Sequence, residues 1–277
     1  MNVYSLGKSY LCLWLYQGWE EENVYVYTCE PDFGSMMTCI YTAWEKALKV
    51  GHDQVRLETE PVEQLTLFED YVHVAYDADK EERVIRSIKQ KISMHAFVQI
   101  YYVAMSAERD AVDVIYRFLI RAFAYGDQVL QQLTDPCMAR FFELRRAVGN
   151  EAHFFREFAR FVSVNNQVYV CHLEPKNHVL LFVAEHFADR MPSEHWMIID
   201  DRRRLAVIHP KDEPYYMRDL SEPEFHQLAE VEKNQDKYTD MWKAFFDAIA
   251  IRQRYNPKCQ RNLMPIWMRK HVTEFQE

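Results

Sequence analysis

Hydrophobic and polar positions change period along this chain, and the changes mark out its elements. VYVYTCE at 24–30 is β-branched and aromatic and predicts a strand, which Pro31 to Gly34 turn into a helix over roughly 35–50. VRLETE at 55–60 and YVHVAY at 71–76 predict two more strands. From Asp79, paired with Glu82 as an N-cap signature, Val84, Ile88 and Ile92 recur on one helical face. Helical spacing continues through HAFVQIYYVAM and, after a cap at Asp110, through AVDVIYRFLIRAFAYG. Asp135-Pro136 opens a long helix to about Val162, with Gly149-Asn150 as a candidate interruption. QVYVCHLEP predicts a strand, HVLLFVAEHFADR a helix, and WMIID with RLAVIHP two strands joined through 201–203. YYMRDL is a further strand candidate, and one amphipathic helix from about Glu224 runs through Trp242, Phe245 and Ile249. The pattern predicts an α+β protein, mainly helical with a small mixed or antiparallel sheet. It forms one domain over 24–277, or two packed halves meeting near 131.

The stretch NEAHFFREFARF, residues 150–161, interleaves four phenylalanines with charged residues. At about 100° per residue, Phe154, Phe155, Phe158 and Phe161 gather on one arc, with Leu144, Ala147 and Val148 upstream. His153, Arg156, Glu157 and Arg160 fall opposite, joined upstream by Arg145 and Arg146. Glu151 projects into the phenylalanine arc. A carboxylate there must find a hydrogen-bonding or cationic partner or keep its proton, because an unpaired charge among apolar groups is too costly. Two roles are open to it: a buried pair with arginine or backbone, or an acid or base at the edge of a pocket. Glu151 and His153 are the candidate catalytic residues. Two positions apart, they diverge by roughly 200° and are poorly placed to act on one atom together. Arg145, Arg146, Arg156 and Arg160 form a stripe whose guanidinium forks suit phosphate, although a charged helix face is also the ordinary solvated one.

Composition narrows the reading. At 277 residues and 49% hydrophobic, the chain can bury a sizeable core. A formal charge of -9 argues against a uniformly cationic coat, so any nucleic-acid surface must be a local patch. A second such patch is IRQRYNPKCQRNLMPIWMRKH, 251–271, which carries Arg252, Arg254, Lys258, Arg261, Arg269 and Lys270 with no acid. Tyr255 and Trp267 add rings on which bases can stack. The competing reading is an arm wrapped on the protein with its cations paired to carboxylates. Six cysteines without a C-x-x-C point to a reducing, cytoplasmic compartment. No run approaches the roughly 18 to 20 apolar residues that span a bilayer. SYLCLWLYQGW lacks a small-residue cleavage pattern and runs into Glu20, Glu21 and Glu22. Those glutamate codons can spell a purine-rich ribosome-binding site and Val24 a GTG start, so residues 1–23 are read as a translated leader or extension.

Several chemistries are missing. None of the six glycines builds a G-x-G-x-x-G or a G-x-x-x-x-G-K-[ST] loop. There is no G-x-S-x-G elbow, no H-E-x-x-H, no H-x-E with P-C-x-x-C, and no C-x-x-x-C-x-x-C of the radical-SAM kind. His153, His172, His178, His186, His195 and His209 lie near Asp189, Asp200 and Asp201 without diagnostic ligand spacing, so neither metal nor cofactor is predicted. Asp200 through Arg204 reads as a charged hairpin turn.

Taken in order, VYVYTCE, YTAWEKALKVGHDQVRLE, QLTLF, IKQKIS, IYRFL, NEAHFFREFARF, EPKN, HFADR, WMIID, WKAFFDAIAIRQRYNPKCQRNLMP and RKHVTEF resemble a bacterial family across 24–277. That family is a domain of unknown function described as DNA-metabolism proteins. The resemblance implies a partner, a separate radical-SAM protein ascribed to DNA repair or modification, and DNA as a further contact. Some relatives carry a similar domain fused to an X-type uracil-DNA glycosylase. The sequence departs from the family near Pro31 to Ser35, where an acidic-serine or glycine turn such as EDSFEG is expected. Glu151, His153, Arg156 and Arg160 match its central motif, to which no roles are attached. Three functions follow as expectations. The first is an accessory protein that binds nucleic acid or the radical-SAM partner, through Arg145, Arg146, Arg156, Arg160, Arg254, Arg261 and Arg269. The second is an enzyme on nucleic acid or a nucleobase, using Glu151 or His153 as acid or base. The third is a structural adaptor whose cations are all paired internally.

Overall fold

The computed structural model describes residues 24–62, 66, 69–131, 135–165, 167–232 and 237–275. The leader reading of 1–23 and most of QLTLF lie outside these residues. The chain forms two compact units, one of 24–104 with 108–141 and one of 105–107 with 142–275. At 59% helix and 17% strand it is α+β and mainly helical.

In the first unit, β1 (Val24–Cys29) lies between β2 (Val55–Thr59) and β3 (Glu69–His73), and all three strands are parallel. Parallel pairing of β1 with β2 needs a crossover, and α1 (Phe33–Val50) supplies it. Asp32 opens α1 by accepting the Ser35 N–H at 3.0 Å, and Gly51, at φ 97°, closes it. α2 (Ala78–Lys91) is capped by Asp77 rather than Asp79, its carboxylate accepting the N–H groups of Asp79 and Lys80. α3 (Met94–Ala104) and α4 (Ala111–Tyr125) follow. Asp110 does not cap α4 through its side chain; it forms a two-pronged pair with Arg140 at 2.9 and 3.1 Å. Met37, Ile40, Leu57, Ile100, Ile115 and Phe118 fill the core with almost no exposure. Each such side chain contributes about 1.5–3 kcal/mol on leaving water. β2 is an edge strand, and α4 closes that edge chemically. Asp113 accepts the Leu57 N–H at 3.1 Å, while Arg117 donates to the carbonyls of His52 and Val55.

α5 (Pro136–Phe158) runs without interruption through Gly149-Asn150, its start held by Asp135, which accepts the N–H of Cys137 at 2.8 Å. It ends at Phe158 rather than Val162, because 162–164 form a strand that the sequence pattern did not predict.

The second unit contains a five-stranded mixed sheet in the order β4-β5-β6-β7-β8. β4 (Val162–Val164) and β5 (Val168–Leu173) are antiparallel. β5 and β6 (Trp196–Asp200) are parallel across α6 (Leu180–Arg190). β7 (Leu205–His209) and β8 (Tyr216–Asp219) complete the sheet antiparallel. Trp196 and His209, cross-strand partners, stack at 4.7 Å with parallel rings. Val170, Ile199, Ala206 and Leu220 make the core on one face, with Phe225 and Leu228 packed against it. The helix expected from Glu224 is described as α7 (Glu222–Glu232) and α8 (Lys237–Ile249), and the residues between them lie outside those described. After them come a 3₁₀ turn (Arg252–Arg254), α9 (Pro257–Leu263) and two further 3₁₀ segments, Ile266–His271 and Thr273–Phe275.

Candidate functional site

The buried stripe of α5 is Phe141, Leu144, Val148, Glu151, Ala152 and Phe155. Phe154 and Phe158 stay half-buried and stack on each other, Phe161 meets the ring of Phe187 edge-on, and Ala147 is exposed. Glu151 is thus fully inside the apolar arc, at 6% exposure, and its partners are two backbone N–H groups and one side-chain amide. One carboxylate oxygen accepts the Lys176 N–H at 2.7 Å. The other accepts the Asn177 N–H at 2.9 Å and its side-chain amide at 2.5 Å. Asn177 passes the constraint on, its Oδ1 accepting the Ala107 N–H at 2.9 Å. The EPKN segment, 174–177, is therefore nested on a buried charge that its own amides neutralise.

Arg203 holds the same segment from its carbonyl side, donating to Pro175 O at 3.1 Å and to Lys176 O at 2.5 Å. It also pairs at 2.9 Å with fully buried Asp200, whose carboxyl burial holds above its usual range although Arg203 pulls it down. The DDRRR turn is therefore an anchor as well as a hairpin. Asp201 contributes a second link: its two oxygens lie 2.8 Å from His172 Nδ1 and 3.5 Å from His271 Nε2, with the two imidazoles 6.1 Å apart. No sequence spacing announced this His-carboxylate-His contact, since its members come from β5, a turn and the last 3₁₀ segments.

On the opposite side of α5, His153 is exposed and lies 3.1 Å from Glu157, one helical turn on. These two, with Arg156, Arg160, His186 and Arg190, line an open groove of about 660 Å³ between α5 and α6. Three guanidinium groups and two imidazoles face one carboxylate there. Arg156 is anchored by its Nε and Nη2, which donate to Phe182 O at 3.0 and 2.8 Å. Arg160 grips Glu274 at 2.7 Å and lies 5.7 Å from the centre of the Trp242 ring. Burial alone would raise the Glu274 carboxyl, but Arg160 and the Trp242 indole hold it below the usual carboxylate range. Arg190, in the last turn of α6, is exposed and forms no hydrogen bond or ion pair among the described residues. Arg146 is likewise exposed; Arg145 is half-buried and engaged.

The C-terminal cations divide in the same way. Arg269 turns back, donating to Met264 O at 3.1 Å and lying 4.3 Å from the centre of the Phe275 ring, and Lys270 pairs with Glu174. Arg254 and Arg261 are exposed, with no side-chain hydrogen bond or ion pair among the described residues. The basic stripe and the basic arm are each part anchor and part free surface.

In the first unit, a pair that the sequence reading missed stands at the carboxyl ends of the parallel strands, where open α/β sheets carry their ligands. His73 Nδ1 is 2.6 Å from Glu60 Oε1, which also accepts the Thr28 hydroxyl at 2.8 Å. These two bonds, His73 first, hold Glu60 below its usual range. His73 sits beside Thr28 in the β1–β3 register, a placement that spacing along the chain cannot reveal. A separate apolar groove of about 550 Å³ lies between α1, α2 and α4, around Trp44 and Leu48.

Among the described residues, no group of three or more histidine, cysteine or acidic side chains is arranged to hold a metal ion, and no helix is long and apolar enough to cross a membrane. No curated protein matches this sequence. The profile of a family described as a domain of unknown function, DUF4130, matches residues 109–274, more than half of the chain, and the chain belongs to that family.

Proposed function

We propose that this protein is a nucleic-acid-contacting accessory in DNA repair or modification, working beside a separate radical-SAM enzyme that carries out the bond-breaking step. The observation that carries this reading is the α5–α6 groove, whose rim keeps Arg190 exposed while Arg156 and Arg160 are held rigidly by Phe182 O and Glu274. Guanidinium groups positioned in this way lose little freedom on meeting a phosphate, which favours contact with a sugar-phosphate backbone. Arg146, Arg254 and Arg261 add exposed cations to the same unit. A purely structural adaptor would have used these charges internally. The sequence has none of the cysteine spacing of an iron-sulfur cluster, in keeping with chemistry delegated to a partner.

Glu151 and His153 support an enzymatic reading poorly: the first is committed to amides of Lys176 and Asn177, the second faces the opposite side of α5. A second reading, catalysis on a nucleobase, draws instead on Glu60–His73, a carboxylate orienting an accessible imidazole.

Binding of a fluorescent DNA duplex, measured at low and moderate salt with and without the co-expressed radical-SAM neighbour, tests the proposal. Association with DNA that weakens steeply with salt, or a stable complex with the neighbour, is the expected result. Absence of both would remove it. Turnover of normal or uracil-containing DNA that disappears in His73→Gln would put the catalytic reading in its place.

A further inference from the structure

We infer that the segment 251–267 receives an unpaired nucleic-acid strand, stacking bases on Tyr255 and Trp267 and meeting phosphates with Arg254, Lys258 and Arg261. The inference rests on the nucleic-acid reading above and adds strandedness to it.

Tyr255 lies between two closed turns. The Arg254 N–H donates to Ile251 O at 2.9 Å on one side, and on the other Asn256 caps α9 by accepting the Cys259 N–H at 3.0 Å. Its backbone is thereby fixed, yet its ring is 69% exposed. A large aromatic ring held out into water on a rigid turn contributes nothing to the core. It is available to a flat partner at small entropic cost. Trp267, at the far end of α9, is supported on one edge by Phe155 at 6.3 Å and is 52% exposed. Along the chain α9, seven residues with a rise of about 10 Å, lies between the two aromatic residues.

Along the chain, the charge that flanks them is one-signed. No acid occurs between Asp247 and Glu274, in a chain whose net charge is -9. Arg254, Lys258 and Arg261 are exposed, and their side chains form no hydrogen bond or ion pair among the described residues. Cations alone would serve a duplex equally well. The rings are what favour a single strand, because bases in a duplex are already stacked on one another and only unpaired bases offer a free face.

The test uses the full chain and two labelled probes, an oligothymidylate of about a dozen nucleotides and a duplex of the same length, read by anisotropy. The oligothymidylate is expected to bind more tightly than the duplex. Tyr255→Leu should weaken it about tenfold while leaving the duplex nearly unchanged, and Tyr255→Phe should bind like the original protein. Since Tyr255 is exposed, neither change threatens the fold, which circular dichroism verifies. If the duplex binds and the oligothymidylate does not, the groove proposal survives and this inference falls. If Tyr255→Leu and Tyr255→Phe behave alike, stacking is refuted. A concentration-dependent dimer in sedimentation that Tyr255→Leu abolishes, with oligothymidylate binding untouched, would assign the surface to a second copy and overturn it.

Discussion

Glu151 and Arg203 grip one short segment with opposite polarity: the carboxylate takes the N–H groups of Lys176 and Asn177, and the guanidinium takes the carbonyls of Pro175 and Lys176. The segment joins β5 to α6, and α6 forms one wall of the basic groove. A charge buried in the core thus sets the geometry of a surface site.

Removing that charge should therefore cost stability. Glu151→Ala leaves buried amide donors unsatisfied and is expected to lower unfolding free energy by about 3 kcal/mol, read from the urea midpoint. Glu151→Gln, which keeps one acceptor oxygen, should lose roughly half as much. An unchanged midpoint in Glu151→Ala would show that the nest is dispensable.

Asp201 ties the C-terminal segment to β5 through His271 and His172. Asp201→Asn keeps the size but loses the charge. Hydrogen exchange across 266–275 should speed up about tenfold, a local opening that is easier by roughly 1.4 kcal/mol. Exchange at the original rate would mean that packing alone holds the segment.

The arginines of α5 and α6 differ in what they do, and substitution should separate them. Arg190→Gln and Arg146→Gln, at exposed positions without a side-chain partner among the described residues, are expected to weaken duplex binding about threefold each and to take about 0.9 from the salt slope. Arg160→Gln should in addition lower the melting temperature, since it leaves the largely buried Glu274 without its cation. Equal effects on stability from all three would contradict this division.

Glu224 offers a test of local electrostatics. Its carboxylate accepts both the hydroxyl and the N–H of Ser221 and pairs with Arg218, which together lower its pKa to about 2. An unfolded glutamate titrates near 4.5. The stabilisation is therefore fully present above pH 4.5 and is lost as pH falls through about 2. Carboxyl NMR should place the Glu224 midpoint near 2, and Ser221→Ala should move it upward. A midpoint near 4.5 in the original protein would refute the contacts with Ser221 and Arg218.

Much of the fold was legible in the residue pattern. VYVYTCE, VRLETE, QVYVCHLEP, WMIID and RLAVIHP each became a strand, because alternation and β-branching report local backbone preference directly. What periodicity could not supply was pairing. β1 and β2 are parallel only because α1 carries the chain back to the same end of the sheet, and β3 joins them in parallel register. The three-residue β4 exists only because β5 offers it an edge.

The site divides in the same way. Helical geometry alone determined that Glu151 points into an apolar arc and must be neutralised, and that Arg156 and Arg160 share the opposite face with His153. Only the tertiary structure decided that backbone amides some 25 residues on satisfy Glu151, that Phe182 O and Glu274 occupy Arg156 and Arg160, and that Arg146, Arg190, Arg254 and Arg261 remain exposed. The reason is physical: the period of a helix encodes the direction in which each side chain leaves its axis. Which group waits there depends on chain segments that arrive from elsewhere, and for Glu60 and His73 that made all the difference.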